Sequence, residues 1–398
     1  MSYAEHEEHL HKENVPNLRF PEFSGEWTKT TLGKIGETFN GLTGKSGSDF
    51  GQGSPYITYK SIFDNSKIDL SRVEYVTITD AERKKQTQNE VHYGDIFFTT
   101  SSETPDEVGM TSVLLDEVKD CYLNSFCFGY RLNSITDVLP EYMRFYLRSN
   151  TIRRRLFVLA QGSTRFNISK GEVMGLTIKL PGTAEQRKIA QLLTMIEDRI
   201  ATQIKIIEDL KKLKSAISNK YLYDKSWPKY KISEIATLGR GRVISSKEIG
   251  LQRNPMYPVY SSQTSNDGVM GYLDTYDFDG EYITWTTDGA NAGTVFYRNG
   301  QFNCTNVCGT IKVGESFDAY FLSTILQTAT ARYVSTNLAN PKLMNNTMAS
   351  IVVRIPDIKI QKYWSSILRK MEEKLSIEAT ILLALQQQKQ YFLAQMFI

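Results

Sequence analysis

Two kinds of hydrophobic pattern alternate along the chain. Over about 27–182, and again over about 227–358, aromatic and β-branched residues are interleaved with polar ones between Gly, Asn and Asp turns. That pattern predicts short strands with some helix. Over about 185–223 and 360–398 there is no Pro or Gly, and each stretch is predicted as one uninterrupted helix. A helix of about 39 residues spans ~59 Å at a rise of 1.5 Å per residue.

The helices carry a seven-residue repeat. In the first, the seam runs through Ile189, Leu193, Ile196, Ile200, Gln203, Ile207, Leu210, Lys214, Ile217 and Tyr221, eight of ten positions being apolar. In the second it runs through Trp364, Leu368, Met371, Leu375, Glu378, Leu382, Leu385, Lys389, Phe392 and Met396, again eight of ten. Five heptads of this kind predict a coiled coil. The polar positions coincide between the helices: Gln203 with Glu378 and Lys214 with Lys389. Two readings fit them, a device that fixes register and lysines that snorkel at the seam edge.

That coincidence extends to the whole chain, which is written twice. Trp27–Ile35 is echoed by Trp227–Ile235 at an offset of 200, and Ile96–Thr100 by Ile283–Thr287 at 187. Cys127-Phe128-Gly129 is matched to Val307-Cys308-Gly309 at 180. From Ile168 onward the offset is fixed at 175, so Lys179-Leu180-Pro181 aligns with Arg354-Ile355-Pro356 and Gln186 with Gln361. The second copy is 25 residues shorter, all of them lost before residue 168. A repeat decides architecture ahead of any motif. The expected fold is α+β: a tandem repeat of two mixed α/β domains, each followed by a long helix. Five segments follow: a tail (1–26), a first globular domain (27–182), a helix with linker (183–226), a second globular domain (227–358) and a last helix (359–398). The two helices are expected to pair as an antiparallel coiled coil, because antiparallel pairing gives the repeats a pseudo-two-fold relation that parallel pairing loses.

Composition narrows the function. The 398 residues carry 47 Lys and Arg against 44 Asp and Glu, a balance of +3, which excludes a polybasic binder. With 41% hydrophobic and 23% charged residues, the composition is that of a globular protein. No apolar run exceeds five residues and no secretory signal opens the sequence, so no membrane span and a cytoplasmic location are expected. Cys121, Cys127, Cys304 and Cys308 form no CxxC pair and are expected as reduced core residues.

Catalytic motifs fall short. Thr43-Gly44-Lys45-Ser46 resembles the end of a phosphate-binding loop, but Phe39 stands where its first glycine belongs. Asp106, Glu117 and Lys119 have the residue types of a metal-dependent nuclease, with no counterpart in the second copy. His6, His9 and His11 lie in an acidic tail without an HExxH pattern, and His92 stands alone. Neither a catalytic residue nor a metal site is expected. A binding protein is the favoured reading, with a nuclease and a coiled-coil interaction scaffold as its rivals.

Several segments resemble the specificity subunit of type I restriction-modification systems. They are Arg19-Phe20-Pro21-Glu22-Phe23 leading to Trp27, Gln161-Gly162-Ser163-Thr164-Arg165-Phe166-Asn167-Ile168-Ser169, Ile178-Lys179-Leu180-Pro181 and Glu185-Gln186-Arg187-Lys188-Ile189-Ala190. The globular-helix plan, repeated, is also that family's plan. The second copy departs from it at Thr336–Lys342 and at Ile360-Gln361-Lys362. The resemblance implies that each globular part is a target recognition domain reading one half of a bipartite double-stranded DNA sequence, while the helices set the spacer. It implies docking of two methyltransferase subunits, which bring S-adenosylmethionine, and of restriction/translocase subunits, which bring ATP and Mg, in a phage-defence system. This chain itself would hold no cofactor.

Candidate DNA contacts are sought at equivalent loops. Thr99-Thr100-Ser101-Ser102 and Thr286-Thr287-Asp288-Gly289-Ala290-Asn291 follow an aromatic strand and suit base edges or phosphates, or equally plain turn chemistry. Arg165, Asn167 and Lys170 align with Asn340, Lys342 and Asn345. Lys45, Arg240 and Arg242 sit in Gly-rich loops suited to phosphate, and Ser261, Ser262 and Gln263 complete the set. Arg144, Arg148 and Arg155 are expected on one face of a helix after Pro140, beside Arg153 and Arg154, as a DNA-tracking or a solvated face. By segment the net charges are −4 for 1–26, +1 for 27–182, +3 for 183–226, 0 for 227–358 and +3 for 359–398. Near-neutral readers gain little from counterion release, so weak DNA binding by the isolated chain is expected.

Overall fold

The computed structural model describes residues 14–86, 89–221, 224–335 and 340–398. The three tail histidines, Thr336–Ala339 and residues 222–223 lie outside these, as does the side chain of Tyr221. The chain divides into two compact units, Met1–Ile204 with Ile381–Ile398, and Lys205–Thr380. No helix among the described residues is long and apolar enough to cross a membrane.

In the first unit a four-stranded antiparallel sheet runs in the order Gly36–Asn40, Cys127–Leu132, Ile96–Thr99, Thr111–Val113. Beside it lies a three-stranded sheet, Glu74–Val76, Phe50–Ile57, Tyr122–Leu123, its last pair parallel. Thr28–Thr31 pairs with Thr177–Leu180, joining the start of the globular part to its end. Ile96, Phe97 and Phe98 form an unbroken apolar run in a central strand because both of its faces are covered. Ile96 and Phe98 enter one core with Phe128, Tyr130 and the helix residues Ile189, Ala190 and Leu193. Phe97 points the other way, to Ile57, Leu123 and Cys127.

The second unit repeats this topology: Ala236–Arg240, Cys308–Val313, Tyr282–Thr286, Val295–Arg298 in one sheet, and Val269–Leu273, Tyr257–Tyr260, Asn303–Cys304 in the other. Lys229–Lys231 pairs with Val352–Arg354 as the closing ladder. The sheets correct one alignment. Thr99 pairs with Cys127, and Thr286 with Cys308, so Cys127 corresponds to Cys308 and the offset is 181, not 180. The shared glycine misled because volume has been exchanged between strands. Phe98 faces Phe128 across the ladder, rings stacked 5.0 Å apart, whereas Trp285 faces Gly309. Phe39 faces Gly129, whereas Gly239 faces Thr310. A Cβ on Gly309 would lie 2.3 Å from the Trp285 ring, and one on Gly129 2.0 Å from Phe39. All four cysteines are buried and free.

Each long helix is tied to its globular part by a buried glutamine, 1% exposed in both copies. Gln186 donates to the Pro181 carbonyl at 2.9 Å and accepts from the Leu139 amide at 2.9 Å. Gln361 donates to the Pro356 carbonyl at 2.8 Å and accepts from the Asp318 amide at 2.8 Å. In the first unit Glu185 adds a bidentate bond to Arg19, at 2.8 and 2.7 Å, while Lys188 pairs with Glu22 and lies over the Phe20 ring. The Arg-Phe-Pro-Glu-Phe and Glu-Gln-Arg-Lys segments are thus two sides of one contact.

The helices span Thr183–Tyr221 and Ile358–Gln395. Between 198 and 216 only the heptad positions escape full exposure. In the first unit Ile189 and Leu193 share a core with Leu393, Met396 and Phe397, and Lys389 lies 2.6 Å from Glu197. In the second, Ile217 joins Trp364 and Leu368, and Lys214 lies 2.6 Å from Glu372. Positions on one helix fall as those on the other rise, so the pairing is antiparallel in each unit. Gln203 and Glu378 are buried, 8% and 6% exposed. Lys214 and Lys389 are held by carboxylates, which favours register fixing over snorkelling.

Truncating Gln186 to Ala strands a buried amide and a buried carbonyl, so denaturant titration should show a loss of about 1–3 kcal/mol, with a similar loss for Gln361→Ala. Gly309→Ala should cost about 1–3 kcal/mol by overpacking against Trp285. Adding Trp285→Phe should recover part of that loss in thermal melts, because the smaller ring vacates the space.

Candidate nucleic-acid interface

Three segments far apart in sequence meet along one edge of the first unit, where the two central strands of its four-stranded sheet end, and a single threonine joins them. Thr100 donates from its amide and hydroxyl to the Phe126 carbonyl, at 3.2 and 2.7 Å. Its own carbonyl accepts from the Ile168 amide at 3.0 Å. The pairing continues as Ser101 with Asn167 and Ser102 with Phe166. In the second unit the Thr287 amide donates to Val307 at 3.1 Å and its carbonyl accepts from Leu343 at 2.9 Å. Asp288 bridges Lys342 and forms an ion pair with it at 3.4 Å.

The turn carrying Phe126 is built by Asn124. Its side chain accepts from the Phe126 amide at 2.7 Å, and its backbone accepts from Cys127 at 3.1 Å and donates to Ile57 at 2.9 Å. An Asx turn of this type needs Asn or Asp at its first position. In the second unit Thr305 holds the same place, bonded to Tyr260 at 2.9 Å and Cys308 at 3.0 Å. A fourth segment closes the edge: Lys170 donates to Asn40, and Asn345 donates to the Gly239 carbonyl at 3.1 Å.

The structure therefore gathers the two loop sets singled out from sequence, but divides their side chains. Thr99, Ser101, Ser102, Thr286 and Thr287 are buried. The Thr99 hydroxyl accepts from Met110 at 2.9 Å and that of Thr286 from Thr294 at 3.2 Å, so both pin the turn that follows. Ser102 bonds to Glu107 and Thr287 to Asp288. Arg165, Asn167, Asn291 and Asn340 are exposed, while Thr100, Lys170, Asp288, Lys342 and Asn345 are partly so.

Of the other candidates, Ser261 and Arg240 adjoin the edge segments of the second unit. Lys45 pairs with Glu82 at 2.7 Å, and that bond with those from Thr79 holds the Glu82 carboxyl down to about 2. Arg242 is clamped by Glu248 at 2.7 Å and Asp277 at 3.0 Å. Ser261 bonds to Thr305, and Gln263 to the Val269 carbonyl. Arg240 is exposed, against the Met344 sulfur at 3.8 Å.

The arginine face is a correction. Two helices, Pro140–Tyr146 and Asn150–Leu159, replace the single expected one, because the Ser149 side chain caps the second. Arg144 is buried, 8% exposed, bonded to Ser66 and paired with Glu197. Arg148 donates to the carbonyls of Thr111, Ile62, Phe63 and Asn65, Arg153 to those of Gly109, Asp106 and Val108, and Arg155 to Thr177. Burial pushes Arg144 and Arg148 down to about 10. Arg148, Arg153 and Arg155 hold backbone carbonyls, and Arg144 holds a hydroxyl and a carboxylate; of the five only Arg154 is exposed. Among the described residues no group of three or more His, Cys, Asp or Glu is placed to hold a metal ion.

Sequence reasoning missed the 124–126 and 305–307 turns and Asn40. The signal was present in Asn-Ser-Phe-Cys and Thr-Asn-Val-Cys, which align once the offset of 181 is used.

A family model described as the type I restriction modification DNA specificity domain matches residues 24–212 and 224–387. A type I specificity subunit N-terminus from Mycoplasma pneumoniae is 47% identical over 141 residues, covering 35% of this chain and 74% of that protein. The specificity subunit of the type I restriction enzyme MpnII from the same organism is 41% identical over 146 residues, covering 36% and 43%. Among solved structures, the type I restriction-modification S subunit from M. genitalium superposes with a TM-score of 0.66 at 16% identity, over 96% of this chain and 99% of that one. A chain from a study of complex assembly and conformational transition of the type I system gives 0.55 at 14% identity, over 92% and 96%. At such identities the likeness is one of fold.

Proposed function

The chain belongs to the type I restriction-modification DNA specificity family, and we propose that the three-segment edge of each unit is its DNA-reading surface. Residues 27–182 and 227–358 act as the two target recognition domains, each reading one half of a bipartite sequence. The long helices set the spacer and carry the docking sites for two methyltransferase subunits, with their S-adenosylmethionine, and for restriction subunits, with their ATP and Mg. The chain supplies specificity and its partners supply the chemistry.

One observation carries this reading: the backbone framework of the edge is repeated while its side chains differ. Ser101, Arg165, Asn167 and Lys170 stand where the second copy has Asp288, Asn340, Lys342 and Asn345. A common scaffold with divergent donors and acceptors is what two unlike half-sites require, since sequence is read by hydrogen bonds and apolar contacts at base edges. The domains carry net charges of only +1 and 0, and several of their basic groups, Lys45, Arg144 and Arg242 among them, are already paired within the protein. Little counterion release is left to drive binding, so partner subunits contribute much of the affinity.

Replacing residues 27–182 with the corresponding domain of a relative should change one half of the methylated sequence and preserve the other. Genome-wide mapping of methylated adenine in cells carrying the chain with its methyltransferase subunit reads this directly; a change in both halves refutes the modular reading.

A further inference from the structure

Phe126 stands apart from the other side chains of the edge. It is 64% exposed, on the tip of the turn between Tyr122–Leu123 and Cys127–Leu132. Single exposed apolar residues are common and need no explanation. This one is distinguished by how firmly its backbone is held. Its amide is bound by Asn124, its carbonyl takes both donors of Thr100, and Thr100 is itself bonded to Ile168. An aromatic ring is thus presented to water by a turn pinned at both the amide and the carbonyl of the residue that carries it. Its surroundings are the polar groups of the proposed reading edge: Ser101, next to Thr100, pairs with Asn167, and exposed Arg165 lies two residues before Asn167. In the second unit the same turn position is Val307, partly buried and shorter.

We propose that Phe126 is a specificity-determining residue that packs against the C5-methyl group of a thymine in the first half-site. The assignment rests on the reading of the edge as the DNA surface and adds an apolar contact to its hydrogen-bonding groups. In the major groove thymine is distinguished by its methyl group, and phenylalanine is among the side chains that contact it. A side chain carried on a firmly held turn costs little backbone freedom on binding, and a methyl group offers it apolar area to bury that a bare pyrimidine edge lacks.

The test uses the chain assembled with its methyltransferase subunits and a duplex bearing its mapped target. Each thymine of the first half-site is replaced in turn by deoxyuridine, which lacks only the methyl. Wild-type complex should lose about fourfold in affinity at one position, the value of burying one methyl group. Phe126→Ala should bind thymine and deoxyuridine duplexes equally there, with an unchanged melting temperature and unchanged response in the second half-site. Arg165→Ala and Asn167→Ala should weaken both duplexes while keeping the fourfold ratio. Absence of any thymine from the first half-site, no deoxyuridine effect in the wild type, or full discrimination retained by Phe126→Ala overturns the proposal. If Arg165→Ala, Asn167→Ala and Phe126→Ala all leave sequence preference untouched, the reading edge itself is refuted.

Discussion

A buried amide fixes each long helix to the sheet that precedes it, and much of either unit is arranged around that bond. Gln186 and Gln361 each satisfy a proline carbonyl behind the helix and a backbone amide at the start of a neighbouring helix. Each glutamine is itself 1% exposed, so the helix axis and the globular part cannot drift without leaving a buried polar group unpaired. An apolar residue at the same place would pack but would not orient. The heptad seam depends on this anchoring, because a seam selects its partner only when the helix is presented at a set angle.

Within each sheet the same backbone tolerates different fillings. The Phe98–Phe128 stack and the Trp285–Gly309 pair occupy equivalent ladder positions, as do Phe39–Gly129 and Gly239–Thr310. Close packing is sensitive to every methylene, yet the same ladder positions accept pairs that differ in total size as well as in which strand carries the bulk. The edge segments are freed in the same way. Thr100 and Thr287 keep the connections, while the side chains they carry along are open to change.

The repeat, the strand-rich domains and the long helices were legible because periodicity survives in a one-dimensional record. The seam positions could be named individually for the same reason. The edge was only half legible: position along the chain located Ser101 and Asn167, but not that Ser101 would be buried by the pairing it forms. The arginines of 144–155 read as a charged face because eight basic residues against two acidic ones in 131–170 look solvated. In the fold those at 144, 148, 153 and 155 are drawn to carbonyls and a carboxylate from distant segments, partners that no local pattern announces. Phe126 was passed over because an aromatic before a strand reads as core.

The two lysine–glutamate contacts of the helices have a consequence for how such a chain can arise. Glu197 precedes Lys214 by 17 residues, and Glu372 precedes Lys389 by 17. One helix therefore carries both the acid and the base that its antiparallel partner needs, in mirror order. Such a helix is its own complement. Two identical copies set antiparallel would form both ion pairs at once, as an isologous interface does. Tandem duplication of a single ancestral repeat would have joined in one polypeptide an interface that already fitted itself, leaving the two globular parts to diverge without any change in what holds the helices together.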